Sequence, residues 1–129
     1  MVSDMSDNES SHTLDEAIEQ AQRNEVLVYP ITVSREVPSG FFSPGLEDRQ
    51  RYVVKQLATK TGGFGFLSVL GKDIGNTLDR IAELLTSSYV VESSLPESGG
   101  KKKGHEIKIR CTRKDVKILF RKRYFPPSE

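Results

Sequence analysis

The sequence predicts an α/β fold. Three observations lead there. Helix-spaced and strand-like segments alternate through residues 13–91. The run Val26-Leu27-Val28-Tyr29-Pro30-Ile31-Thr32-Val33 is almost continuously apolar and rich in β-branched residues, which suits a strand covered on both faces of a parallel sheet. After residue 105 the pattern changes to period-two alternation, the mark of an antiparallel hairpin with one wet face. The expected order is helix–strand–helix–strand–helix, followed by a three-strand meander.

The first helix is announced by Thr13-Leu14-Asp15-Glu16, a capping box in which Thr13 and Glu16 satisfy each other's backbone donors. Leu14, Ala17, Ile18 and Ala21 then form one narrow apolar stripe, and the helix ends near Asn24. In the strand that follows, Pro30 removes a ladder donor, which argues for an edge position or a strand irregularity. Residues 34–45 form a loop carrying Pro38, Gly40, Pro44 and Gly45. Within it, Phe41 and Phe42 either anchor the loop on the neighbouring helix or form a partner-binding tip.

A second helix is expected from about Leu46 to Lys60, with Val53, Val54, Leu57 and Ala58 inward. Thr61-Gly62-Gly63 stops it, since glycine takes the left-handed conformation that ends helices. Phe64-Gly65-Phe66-Leu67 reads as a short strand. The third helix runs from about Lys72 to Ser87, with Ile74, Leu78, Ile81, Ala82 and Leu85 on its inner face. Tyr89-Val90-Val91-Glu92-Ser93 reads as a strand, and 96–104 as a polar loop. Ile107, Ile109 and Cys111 alternate with Lys108, Arg110 and Thr112. Val116, Ile118 and Phe120 alternate with Lys117, Leu119 and Arg121, around a turn at Arg113-Lys114-Asp115.

The 129 residues suffice for one domain, or for a smaller domain with an appendage. A hydrophobic share of 36% limits the core. Net charge is +1, but it is unevenly spread. Residues 1–25 carry Asp4, Asp7, Glu9, Asp15, Glu16, Glu19 and Glu25 against Arg23 alone. Residues 101–123 carry eleven Lys or Arg against Glu106 and Asp115. A single cysteine, Cys111, excludes an intrachain disulfide. No apolar run reaches the ~18–20 residues of a membrane span. No secretory signal opens the chain, so a cytoplasmic location is expected for the chain as written.

Several residue sets could carry function. Asp4, Asp7 and Glu9 could bind a cation, or could simply form a solvated loop at a helix N-terminus, which the helix dipole favours. Lys101, Lys102, Lys103, Lys108, Arg110, Lys117 and Arg121 make a basic patch. Such a patch can hold phosphate, or can serve as the wet face of the hairpin. His12, His105 and Cys111 fit no common zinc spacing, and Cys111 shares the apolar alternation of Ile107 and Ile109, which assigns it to a core. No nucleophile–base pair and no phosphate-cradling glycine loop is present, so no enzyme is expected.

The acidic loop, the helix beginning Thr13-Leu14-Asp15-Glu16-Ala17 and the strand Val26–Val33 open a longer series. It continues through Thr61-Gly62-Gly63, Phe64-Gly65-Phe66, the helix around Ile81, and His105-Glu106-Ile107-Lys108-Ile109 to Tyr124-Phe125. In this order and spacing the chain resembles the C-terminal half of a von Willebrand factor type A domain, of the bacterial VWFA-related, acidobacterial type. The matching stretches are Ser3–Val33, Leu57–Leu67, Ile81–Val91 and His105–Phe125. The resemblance implies a partial Rossmann-like, three-layer α/β body over residues 1–88 and a β-meander extension over 89–129.

It further implies binding without catalysis, with Mg²⁺ bridging to a partner protein in the complete domain. That site takes a D-x-S-x-S motif, a loop Thr and a later Asp, oxygen ligands that suit a hard cation. Asp4 matches the later Asp by position. The other ligands have no counterpart in the chain, and Met5 stands where the family has Gly. The implied reading is a truncated interaction module with an incomplete metal-dependent adhesion site and no cofactor of its own. Its partner would be a protein or a second copy, met through Asp7, Phe41 and Phe42. Its strand Val26–Val33 would have an unpaired edge where a neighbour is missing. Parents of this family are often secreted or envelope-associated. The rival readings are a binder of nucleic acid or an anionic surface through the basic hairpin, and a degenerate gene fragment.

Overall fold

The computed structural model describes residues 2–3, 12–34, 46–92 and 104–126. Three parallel strands form its main sheet in sequential order: β1 (Val2–Ser3), β2 (Ile31–Ser34) and β3 (Phe66–Leu70). Helix α1 (Leu14–Arg23) joins β1 to β2, and α2 (Leu46–Thr61) joins β2 to β3. A 3₁₀ turn (Gly71–Asp73) leads into α3 (Ile74–Thr86). A separate antiparallel pair, β4 (His105–Glu106) and β5 (Arg123–Tyr124), closes the chain. The molecule is thus a mixed helix-and-strand protein with small sheets, as the α/β expectation requires.

Helix α1 carries both caps that its sequence allows. The Glu16 N–H donates to Thr13 Oγ1 at 3.2 Å, and the Thr13 N–H donates to Glu16 Oε2 at 2.7 Å. At the other end, Val26 N–H reaches the Ala21 carbonyl and Glu25 N–H the Gln22 carbonyl. This is a Schellman closure, with Glu25 at φ 58° in the left-handed position where glycine is usual. Ile18 faces the core, while Ala17 stays exposed.

The predicted strand at residues 26–33 is shorter than expected. Pairing begins at Ile31, and the five residues before it form an extended approach with Val26 and Leu27 exposed. Pro30 does not mark an edge. It is fully buried at the entrance of the middle strand, and its carbonyl accepts from Phe66 N–H at 2.9 Å. Only its acceptor is needed there, so the missing donor costs nothing. Nor is the flank of β2 opposite β3 bare: Val2 pairs with Ile31 and Ser3 with Thr32. An irregularity does occur one step on. Ile31 faces Phe66 but Val33 faces Val69, so β3 carries one extra residue, a bulge. Ser68 takes φ 53° there, and its N–H, lost to the ladder, donates to Thr32 Oγ1 at 2.9 Å.

Helix α2 ends as expected. Gly62 has φ 91°, and its N–H donates to the Ala58 carbonyl. Val54, Leu57 and Ala58 join Ile18, Ile31 and Phe66 in the core. Thr61 is completely buried, and its hydroxyl donates to the Leu57 carbonyl (2.7 Å) while accepting from Val28 N–H (3.1 Å).

Helix α3 keeps part of its expected face. Ile74 and Ile81 are half-buried, together with Leu84 and the buried Thr77, while Leu78, Ala82 and Leu85 of that face are exposed. A three-stranded sheet ending at β3 gives α3 one strand to cover, so its broad apolar face is only partly used. Tyr89–Glu92 do not form a strand among the described residues. β-prone side chains without a partner ladder do not make one.

The meander is reduced to the β4–β5 pair. Its register places His105 opposite Tyr124 and Glu106 opposite Arg123, and the next bond runs from Ile107 N–H to the Lys122 carbonyl. Continued inward, that register brings Lys114 and Asp115 together at the predicted turn. The pairing at the ends of the hairpin is thus compatible with a turn at Arg113-Lys114-Asp115, without a continuous ladder between. Cys111 is exposed, not in a core, and Ile109 and Val116 are exposed beside it.

Candidate partner-binding surface

The predicted site residues separate into two groups. Asp4, Asp7, Phe41, Phe42, Lys101, Lys102 and Lys103 lie outside the described residues. The rest of the basic patch is dispersed. Lys108 pairs with Glu106 at 3.4 Å on the surface, and Arg110 is exposed. Arg121 points back to the body, pairing with Glu25 at 2.9 Å and donating to the Gln22 carbonyl at 3.4 Å. Lys117 places its ammonium 5.2 Å from the Phe64 ring centroid. So Leu119 and Arg121, predicted on the wet face, are half-buried, as are Ile118 and Phe120, while Lys117 stays exposed beside Phe64.

Gly62 makes this docking possible, and Gly63 beside it receives the segment before β2. A methyl on Gly62 would strike the backbone of Phe120 and Arg121, and one on Gly63 would overlap the Val28 carbonyl. The Lys60 carbonyl next to them accepts from Gln22 Nε2 at 2.7 Å and from Lys122 N–H at 3.2 Å. Helix α1, the end of α2 and the C-terminal arm thus meet at one point. Arg23 adds a cation–π contact, its guanidinium lying 4.2 Å from the Phe125 ring centroid.

The docked arm closes one side of a groove of about 350 Å³. Phe64 and Phe66 form its floor, edge to face with ring centroids 5.2 Å apart. Arg80, Glu83, Leu84 and Ser87 line the α3 side, and Lys117 and Leu119 the arm side. The Arg80 guanidinium lies 6.0 Å from the Phe66 centroid. Among the described residues no carboxylate forms an ion pair with Arg80 or Lys117. The sequence reading missed this groove. Its only signal was the Phe64-Gly65-Phe66 triplet, whose glycine packs beneath Val54 and Ala58 of α2.

Beyond the groove, α3 leaves Leu78 and Leu85 exposed at 51% and 49%. Seven residues apart, they lie along one stripe of the helix. Tyr89, Val90 and Val91 follow at 93%, 91% and 81% exposure.

Perturbed titrations lie elsewhere. Hydrogen bonds from the Thr13 backbone and hydroxyl hold Glu16 below the ordinary carboxylate range. The Arg113 guanidinium does the same for Asp115, and burial pushes the Tyr29 phenol up. Among the described residues no three of His, Cys, Asp and Glu converge as a metal-binding group, and no helix is long and apolar enough to cross a membrane. Comparison with known protein families, with curated proteins and with solved structures finds no match to the chain.

Proposed function

We propose that the chain is a noncatalytic protein-interaction module built on a von Willebrand A-like arrangement of strands. The observation that carries the binding reading is the apolar surface of α3 and the segment after it. Leu78, Leu85, Tyr89, Val90 and Val91 are all exposed, and clustered apolar exposure of this kind marks a protein contact. The sequential parallel order β1-β2-β3 with helical crossovers supports the family reading, because one half of a doubly wound sheet runs in this way.

The partner is a protein or a second copy of the chain. Two cations of the basic arm are already engaged within the chain, Arg121 with Glu25 and Lys108 with Glu106, which disfavours the arm as a nucleic-acid surface. Of the Mg²⁺ ligand set that the resemblance implies, the chain supplies Asp4 alone, so we route no contact through a metal.

A photocrosslinking residue placed at Leu85 in the native host tests the reading. The expected result is one or a few protein adducts of discrete mass, lost on Leu78→Asp. Absence of discrete adducts would overturn the α3 stripe as the contact surface. Calorimetric titration with Mg²⁺ addresses the metal separately. The expectation is no saturable one-site binding at micromolar concentration, and a stoichiometric micromolar isotherm would refute the incomplete-site reading.

A further inference from the structure

The groove between α3, β3 and the C-terminal arm has two properties that a general sticky surface lacks. Its floor is aromatic and its walls include Leu84 and Leu119. Yet two cations also line it, Arg80 from α3 and Lys117 from the arm, each near the ring of a different phenylalanine. Neither has a carboxylate partner among the described residues. Two such cations outweigh the one carboxylate of the lining, Glu83, so the groove is complementary to an apolar group that carries its own negative charge.

The volume of about 350 Å³ is at the small end of ligand pockets, and suits one side chain with a carboxylate more than a whole cofactor. The wall ends at Ser87, and the chain continues as Tyr89-Val90-Val91-Glu92. That stretch is β-prone, exposed and without a ladder partner among the described residues. A β-prone segment of this kind suits pairing with an extended partner backbone, the strand-addition mode of peptide recognition.

We propose that this groove binds the free C-terminus of an extended partner peptide that ends in an apolar residue. The terminal side chain sits on Phe64 and Phe66, and its α-carboxylate lies between Arg80 and Lys117. Glu83 accepts from peptide N–H groups at the rim, and the preceding residues run along Tyr89–Glu92. The proposal rests on the protein-binding reading and names its ligand.

Fluorescence anisotropy with the full chain tests it. The probe is a fluorescein-labelled hexapeptide of alternating threonine and valine that ends in leucine with a free carboxylate. The expected result is saturable binding, weakened about tenfold when the terminus is amidated, the scale of one hydrogen bond to a charged group. Arg80→Gln and Lys117→Gln, both at exposed positions, should each weaken it similarly, and Val90→Asp should weaken it as well. Equal binding of acid and amide, no binding up to about 1 mM, or indifference to both charge-removing variants would overturn the proposal. Phenylacetate binding as tightly as the peptide would identify a small-acid site and also overturn it. If Leu85 adducts vanish but peptide binding stays, only the exposed α3 stripe is wrong. The reverse outcome removes the groove and leaves the general reading.

Discussion

At Gly63 the fold leaves room for a hydrogen and nothing larger, because a methyl would overlap the Val28 carbonyl. Gly63→Ala should therefore destabilise the protein by about 2 kcal/mol or more, the scale of an overpacked interior site. Gly75 is the contrast: nothing lies within 4 Å of an added methyl there, and it sits in the first turn of α3. Gly75→Ala should stabilise by about 0.5 kcal/mol through helix propensity. Chemical denaturation of the two variants side by side checks the pair. Thr61→Val tests the neighbouring hydroxyl. It strands the Val28 N–H in the interior, with an expected loss of about 1–3 kcal/mol. The sequence marked Thr61-Gly62-Gly63 as a helix stop, and it is one. Its second role, receiving Val28 and Arg121, could not be read locally, since both partners are remote along the chain.

Among the elements, α1 was the most legible, because its determinants are local. Thr13, Glu16 and the apolar stripe lie within two turns. Thr13→Ala should cost about 1 kcal/mol, as loss of an N-cap does. The same cap gives α1 a pH dependence. The Glu16 carboxyl is held low by hydrogen bonds from Thr13, so its contribution is fully present above the ordinary glutamate range. It fades as pH falls through the lowered folded value. Protection of the Ala17 and Ile18 amides, corrected for the pH dependence of intrinsic exchange, should fall over that acid window, and Glu16→Gln should flatten the trend.

Helix α3 was legible in extent but only partly in orientation. Its apolar positions cover too wide an arc for pattern alone to choose a buried edge. The choice depends on β3 and Leu119, which no local pattern contains. The strands were least legible. The run 26–33 contained enough apolar residues for a long strand, but neighbours pair only from Ile31 onward.

For the molecule as a whole, the decisive contact is between the C-terminal arm and the end of α2. Gly62 combines φ 91° with close approach to the Phe120 and Arg121 backbones. Gly62→Ala should cost at least about 1 kcal/mol from the left-handed backbone alone. It should also loosen the arm before the sheet. Limited trypsin digestion should cut within residues 108–123 first, and the Lys122 amide should lose protection while Phe66 keeps its own. Simultaneous loss of both amides would show instead that arm and sheet are one cooperative unit. The candidate surface was partly legible at this scale. The basic character of the arm was plain in the sequence, but its burial against the body was not. Alternation fixes which residues share a face and leaves open how far either face is buried.

The Lys60 carbonyl, shared by Gln22 Nε2 and Lys122 N–H, also orders events in time. Gln22 and Lys60 belong to α1 and α2 and are 38 residues apart in sequence. Lys122 reaches the same oxygen only after almost half the chain has been looped out. Closing the longer loop costs more chain entropy, and contacts of long sequence separation slow folding. The expected order is therefore the α1–α2 contact before the arm, by a margin under about 0.6 kcal/mol of loop entropy, leaving an acceptor with one lone pair still open. The arm arrives last, onto a surface already assembled for it.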